Sequence, residues 1–154
     1  MGVWAMAKDH DDDRSIEESR GVQKREEEER LKAEDRRRVF EAKVEDLWNE
    51  LTGVLGNAIE QFNKDLDSEK RIYFEKDPDG FTAGNPVPPG TTVRGEPDKG
   101  GQRFLCRYTI GDVPSFAREY GLTVEGTVLK IYATGQALPV PIEELAGPIL
   151  RPIS

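Results

Sequence analysis

Residues 40–66 carry the pattern that most constrains how this chain folds. Apolar side chains fall at Phe40, Val44, Leu47, Trp48, Leu51, Val54, Leu55, Ala58, Ile59, Phe62 and Leu66. Every step between them is one, three or four residues. That spacing specifies an amphipathic α-helix with one broad apolar face. A helix of this length runs to roughly 40 Å, and its face needs a covering surface. Gly53 and Gly56 sit inside it, each costing about 1 kcal/mol relative to Ala. Gly56 borders the stripe, where it either admits another backbone or is simply tolerated. The helix is expected to end between Asn63 and Ser68.

The covering surface is read from the downstream half. Residues 71–76 alternate as a strand, with Ile72 and Phe74 on one face and Tyr73 on the other. Residues 78–101 are dense in Gly and Pro, and read as turns around a short strand at 91–94. Residues 103–110 give the strongest strand, with Phe104, Cys106, Tyr108 and Ile110 facing one way. Residues 112–120 read as a helical turn, with Pro114 near its start and Gly121 as its stop. Residues 123–133 read as a further strand with a bulge at Gly126. Pro141 opens a short helix reaching Leu150, with Glu143 and Glu144 suited to its positive end. The expected fold is α+β: a long N-terminal amphipathic helix packed on a three- or four-stranded antiparallel sheet, closed by a short C-terminal helix.

Charge divides the chain. Between Lys8 and Arg38, 22 of 31 residues are charged, with 10 basic and 12 acidic. Residues 1–15 are expected to be a disordered acidic tail. Residues 16–38 have helix-forming composition without an apolar stripe, and read as a charged, solvent-exposed helical extension. Glu26–Arg30, Glu28–Lys32 and Glu34–Arg38 stand four apart in the favourable order. A coiled coil is disfavoured because the heptad core positions are mostly charged. Residues 39–154 form the expected single α+β domain, with 12 basic and 18 acidic side chains. That surplus argues against nucleic acid and anionic membranes as partners. One cysteine makes no internal disulfide, and a reducing, cytoplasmic setting is expected.

The chemistry-bearing residues have structural readings. His10, in Asp-His-Asp-Asp-Asp, has metal-ligand types but no fixed scaffold. Cys106 lies mid-strand on the apolar face and reads as a buried thiol without a histidine base. Asp77 and Asp79 flank Pro78 as turn residues. Lys99-Gly100-Gly101 lacks the spacing of a phosphate-binding loop and reads as a hairpin. Trp48 reads as core and Trp4 as exposed. No catalytic, cofactor-binding or metal-binding residues are assigned, and no cofactor is expected.

The run Leu47-Trp48-Asn49-Glu50-Leu51, with Ala58-Ile59, Phe62-Asn63 and the tail Ile149-Leu150-Arg151-Pro152-Ile153, resembles small uncharacterised bacterial proteins. In those an amphipathic helix precedes an antiparallel meander. The resemblance spans about residues 40–153 and implies a fold but no activity. The functional expectation is a non-catalytic protein-interaction module. Its alternatives are an acidic chaperone-like or immunity-like protein binding one partner, a small-ligand-binding domain with its pocket between helix and sheet, and an acidic nucleic-acid mimic. Four strands span roughly 15–20 Å, so the helix is expected to overhang the sheet. Phe40, Val44 and Leu47 then form an association surface for a second copy, a homodimer, or for another protein.

Overall fold

In the computed structural model the described residues are 18–154, and α1 (Gly2–Asn63) begins ahead of them. The tail expected at 1–15, with Trp4 and His10, lies outside the described residues. The chain divides into two compact units, Met1–Arg38 and Val39–Ser154. In the first unit residues 18–38 are exposed throughout, including Val22 and Leu31. Arg30 reaches Glu27 at 3.9 Å and Arg38 reaches Asp35 at 4.0 Å. These pairs are three residues apart rather than the expected four. Both are open to water, where such pairs add little stability.

The second unit is α+β. The remainder of α1 is followed by β1 (Tyr73–Asp77), β2 (Gly80–Asn85), β3 (Thr91–Asp98), β4 (Arg103–Ile110), β5 (Val113–Glu125) and β6 (Val128–Ala133). These form one antiparallel meander in sequence order. A 3-10 turn at Ile142–Glu144, α2 (Ala146–Leu150) and a final 3-10 turn close the chain. Among the described residues no helix is long and apolar enough to cross a membrane.

The sheet has six strands, not three or four. One unanticipated strand is β2, whose glycines are sheet residues rather than turn residues. Gly84 pairs with Tyr73, and a Cβ there would lie 2.3 Å from the Tyr73 ring. Gly95 pairs with Phe81, whose ring occupies the place of its missing side chain. Each glycine is kept bare by an aromatic from the neighbouring strand. The other correction is β5, which takes in the segment expected to be a helical turn. Pro114 sits beside a bulge there, since Tyr108 pairs with Phe116 but Thr109 pairs with Pro114, leaving Ser115 extra. Gly126 is the β5–β6 turn at φ +64°, not a bulge within one long strand.

Side chains alternate cleanly. One sheet face carries Phe81, Val93, Phe104, Cys106, Tyr108, Leu122 and Ile131, all buried, against Leu51, Leu55 and Ile59 of α1. The Trp48 ring lies 5.7 Å from Phe81 and 5.9 Å from Phe104, so it belongs to the core as expected. The other face is laced with charge. Arg94 donates to Asp77 at 2.9 Å and to Glu96 at 3.1 Å, and Arg103 donates to Asp98 at 3.0 Å and Glu119 at 2.8 Å. Arg107 reaches Glu96 at 3.8 Å.

The expected overhang of α1 is absent at the positions chosen for it. Phe40 is 3% exposed and Val44 4%, both within the main buried cluster. Leu47 is half-buried and packs against the same cluster. Phe40 and Val44 belong to the same buried cluster as the sheet residues Phe81, Phe104 and Ile131. The premise that these side chains need a second copy therefore fails.

Candidate functional site

The unequal lengths of β5 and β6 leave part of β5 without a second neighbouring strand. β5 pairs with β4 from Val113 to Gly121, but with β6 only from Tyr120 to Glu125. Its first half has no strand on the β6 side. Two hydrogen bonds fix which backbone groups face that side. The Leu122 N–H donates to the Gln102 carbonyl at 2.8 Å, toward β4, and Thr134 Oγ1 donates to the Glu119 carbonyl at 2.9 Å, on the side of β6. Alternation along a strand then turns the amides of Phe116, Arg118 and Tyr120 toward β4. Those of Ala117 and Glu119 face the open side. Upstream, Pro114 has no N–H and the Ser115 bulge breaks the line, both ways in which sheets blunt an edge. The usable edge is thus Phe116–Glu119, with Ala117 and Glu119 exposed.

A cleft of about 510 Å³ lies along this edge, lined on one side by Ala117, Arg118, Glu119 and Tyr120. Ala133 and Thr134 close it at the end of β6, and Val140, Leu145 and Pro148 form the wall beyond. Arg118 is half-buried here on the apolar face of the strand. Its Nη1 donates to the Pro148 carbonyl at 2.7 Å, and its guanidinium carbon is 5.8 Å from the centre of the Phe116 ring. The Phe116 ring in turn stacks on Tyr108 at 4.4 Å. Arg94, Arg103 and Arg107 each have a carboxylate partner. Among the described residues Arg118 is the sheet arginine with none.

The rim is held in place by the closing segment. Tyr108 OH donates to the Ile149 carbonyl at 2.6 Å, and Asn85 Nδ2 to the Ile153 carbonyl at 2.9 Å. Val140 N–H donates to the Ile131 carbonyl at 2.7 Å, capping the far side of β6. Burial pushes the Tyr108 and Tyr120 phenols up, so both stay neutral hydroxyls at ordinary pH. A smaller groove of about 260 Å³, with Ala58, Ile59, Phe62 and Leu150 in its walls, lies between the end of α1 and α2.

No family model matches the chain, and neither a curated protein nor a solved structure matches it.

Of the residues singled out in the sequence, Cys106 lies opposite Arg118 in the β4–β5 register, and Phe40, Val44, Leu47, Asp77 and Lys99 are not among the residues lining the cleft. Phe40 and Val44 are core. Leu47 borders a separate cleft of about 250 Å³ with Leu129 and Ile142. Cys106 is fully buried, and burial pushes its thiol up to about 12. Asp77 accepts from the amides of Asp79 and Gly80 as a turn residue, and Arg94 holds its carboxyl down at about 2. Lys99-Gly100-Gly101 is the β3–β4 hairpin loop, with Gly101 N–H donating to Asp98. Among the described residues no cluster of His, Cys, Asp and Glu is arranged to hold a metal ion. Arg118, Ala117 and Thr134 were missed. The signal available was the period-two series Phe116, Arg118, Tyr120, Leu122, Val124, in which the arginine interrupts an otherwise apolar face.

Proposed function

We propose that this protein is a non-catalytic protein-interaction module that takes an extended segment of its partner at the Phe116–Glu119 edge of β5. The observation that carries this reading is the half-unpaired strand beside a cleft of about 510 Å³. An incoming strand would continue the row that β6 leaves at Ala133. Backbone hydrogen bonds to the N–H and carbonyl of Ala117 and to the Glu119 N–H would supply affinity, and alternate side chains entering the cleft would supply selectivity. The occupant is an extended peptide segment of a partner protein. A chaperone-like or immunity-like role is one biological use of the same edge. Small-ligand binding is the second reading, favoured by the cleft volume, which falls in the range of small-molecule sites. The acidic balance of the chain (sequence pI about 4.8) supports a partner other than nucleic acid.

The test is selection of short displayed peptides on the full chain, followed by binding to Ala117→Pro. Proline removes one N–H from the open edge and none from the β4 ladder, so the variant is expected to unfold as cooperatively as the parent. Loss of peptide binding with folding retained supports edge pairing. Peptides that bind Ala117→Pro and the parent equally well place the site elsewhere.

A further inference from the structure

We infer that the segment docking at the β5 edge presents an acidic side chain to Arg118, with an apolar residue two positions away opposite Phe116. This rests on the edge-pairing reading above and adds the chemistry of the occupant.

Arg118 is a half-buried cation whose protein partners are the Pro148 carbonyl, the Phe116 ring and the Tyr120 hydroxyl, none of them a carboxylate. A guanidinium carries five N–H donors in a planar fork. One goes to the Pro148 carbonyl and another is shared with the Tyr120 hydroxyl, which leaves donors for a further acceptor. Elsewhere on the sheet the arginines are met by Asp77, Asp98, Glu96 and Glu119. A carboxylate at Arg118 must therefore come from outside the described chain. Glu119, next in sequence, is on the opposite face and held by Arg103.

Strand geometry says where that carboxylate sits. On one face of paired strands, directly opposed Cβ atoms lie about 4.5–5.5 Å apart. An Asp or Glu opposite Arg118 thus brings its oxygens to the guanidinium without leaving the cleft. Two residues along, the same face of the added strand meets Phe116, which is 43% exposed and lies over Tyr108. An apolar side chain there covers the open part of that ring. The β6 row is antiparallel to β5, so an occupant continuing it reads acidic, any residue, apolar from its N-terminus. A charge-assisted pair in a partly dry cleft discriminates more strongly than one in water.

The experiment uses the full chain and synthetic strand-forming peptides, Thr-rich, with Glu, Gln or Lys at one position and Leu or Thr two residues later. Binding is followed by fluorescence anisotropy. The parent protein is expected to prefer Glu over Gln by about tenfold, to reject Lys, and to favour Leu over Thr. Arg118→Gln removes the Glu preference and Arg118→Lys keeps part of it. The Glu-versus-Gln comparison needs no protein variant, so a misfolded substitution cannot obscure it. Equal binding of Glu and Gln peptides, lost in Ala117→Pro, overturns the role of Arg118 while edge pairing stands. No binding of any peptide, here and in the display selection, overturns both.

Discussion

Asn63 and Ile72 exchange two hydrogen bonds, each 2.8 Å long: the Asn63 amide nitrogen donates to the Ile72 carbonyl, and the Ile72 N–H donates to the Asn63 amide oxygen. The last residue of α1 thus pairs like a strand with the residue just ahead of β1. Ile72 is itself buried, so removing the amide strands two polar groups at once. Asn63→Ala is expected to cost about 1–3 kcal/mol, read as a lower urea midpoint. Asn63→Asp, which loses the donor, is expected to lie between the two.

Two glycines of α1 and β3 should respond in opposite directions. A Cβ at Gly53 meets nothing within 4 Å, so Gly53→Ala removes only backbone freedom and should stabilise by about 1 kcal/mol. A Cβ at Gly95 falls 2.1 Å from the fully buried Phe81 ring. Gly95→Ala should destabilise by about 1–3 kcal/mol or prevent folding. Equal thermal midpoints for the two variants would contradict the packing described.

Asp77 sets part of the acid limb of stability. Arg94, with the amides of Asp79 and Gly80, holds its carboxyl below the ordinary value of 3.8, at about 2. A lowered carboxyl favours the fold above its unfolded value and loses that contribution as pH falls through its folded value. Between those two values the parent should lose stability more steeply than Asp77→Asn in urea titrations. Identical slopes would remove Asp77 from the acid response.

Cys106 should be inert. It is fully buried with its thiol pushed up to about 12, so native alkylation at neutral pH is expected only at the rate of unfolding. Cys106→Ala should cost about 1–2 kcal/mol through the small cavity it leaves.

The helix and the sheet were not equally legible. The α1 stripe could be read because its 3.6-residue period persists from Phe40 to Phe62, and β4 because Phe104, Cys106 and Tyr108 alternate without interruption. β2 was hidden because a glycine in a sequence suggests a turn, whereas Gly84 and Gly95 make room for Tyr73 and Phe81. That pairing depends on register, which one strand read alone does not contain. β5 was hidden by Pro114 and Arg118, which break the local rules of a strand. Those two residues respectively end the open edge and line its cleft. Local pattern failed where the candidate site departs from ordinary core packing. Phe40 and Val44 are buried with the sheet residues of the main cluster, a long-range packing that the period of α1 alone does not contain.

Amide hydrogen exchange at β5 tests the central claim most directly. In the free protein the Ala117 amide faces the open side, while those of Arg118 and Tyr120 face β4. The account predicts fast exchange at Ala117, slow exchange at Arg118 and Tyr120, and strong protection of Ala117 once an acidic strand-forming peptide is bound. An Ala117 amide already protected in the free protein at every concentration, or one that stays unprotected in the complex, would contradict it.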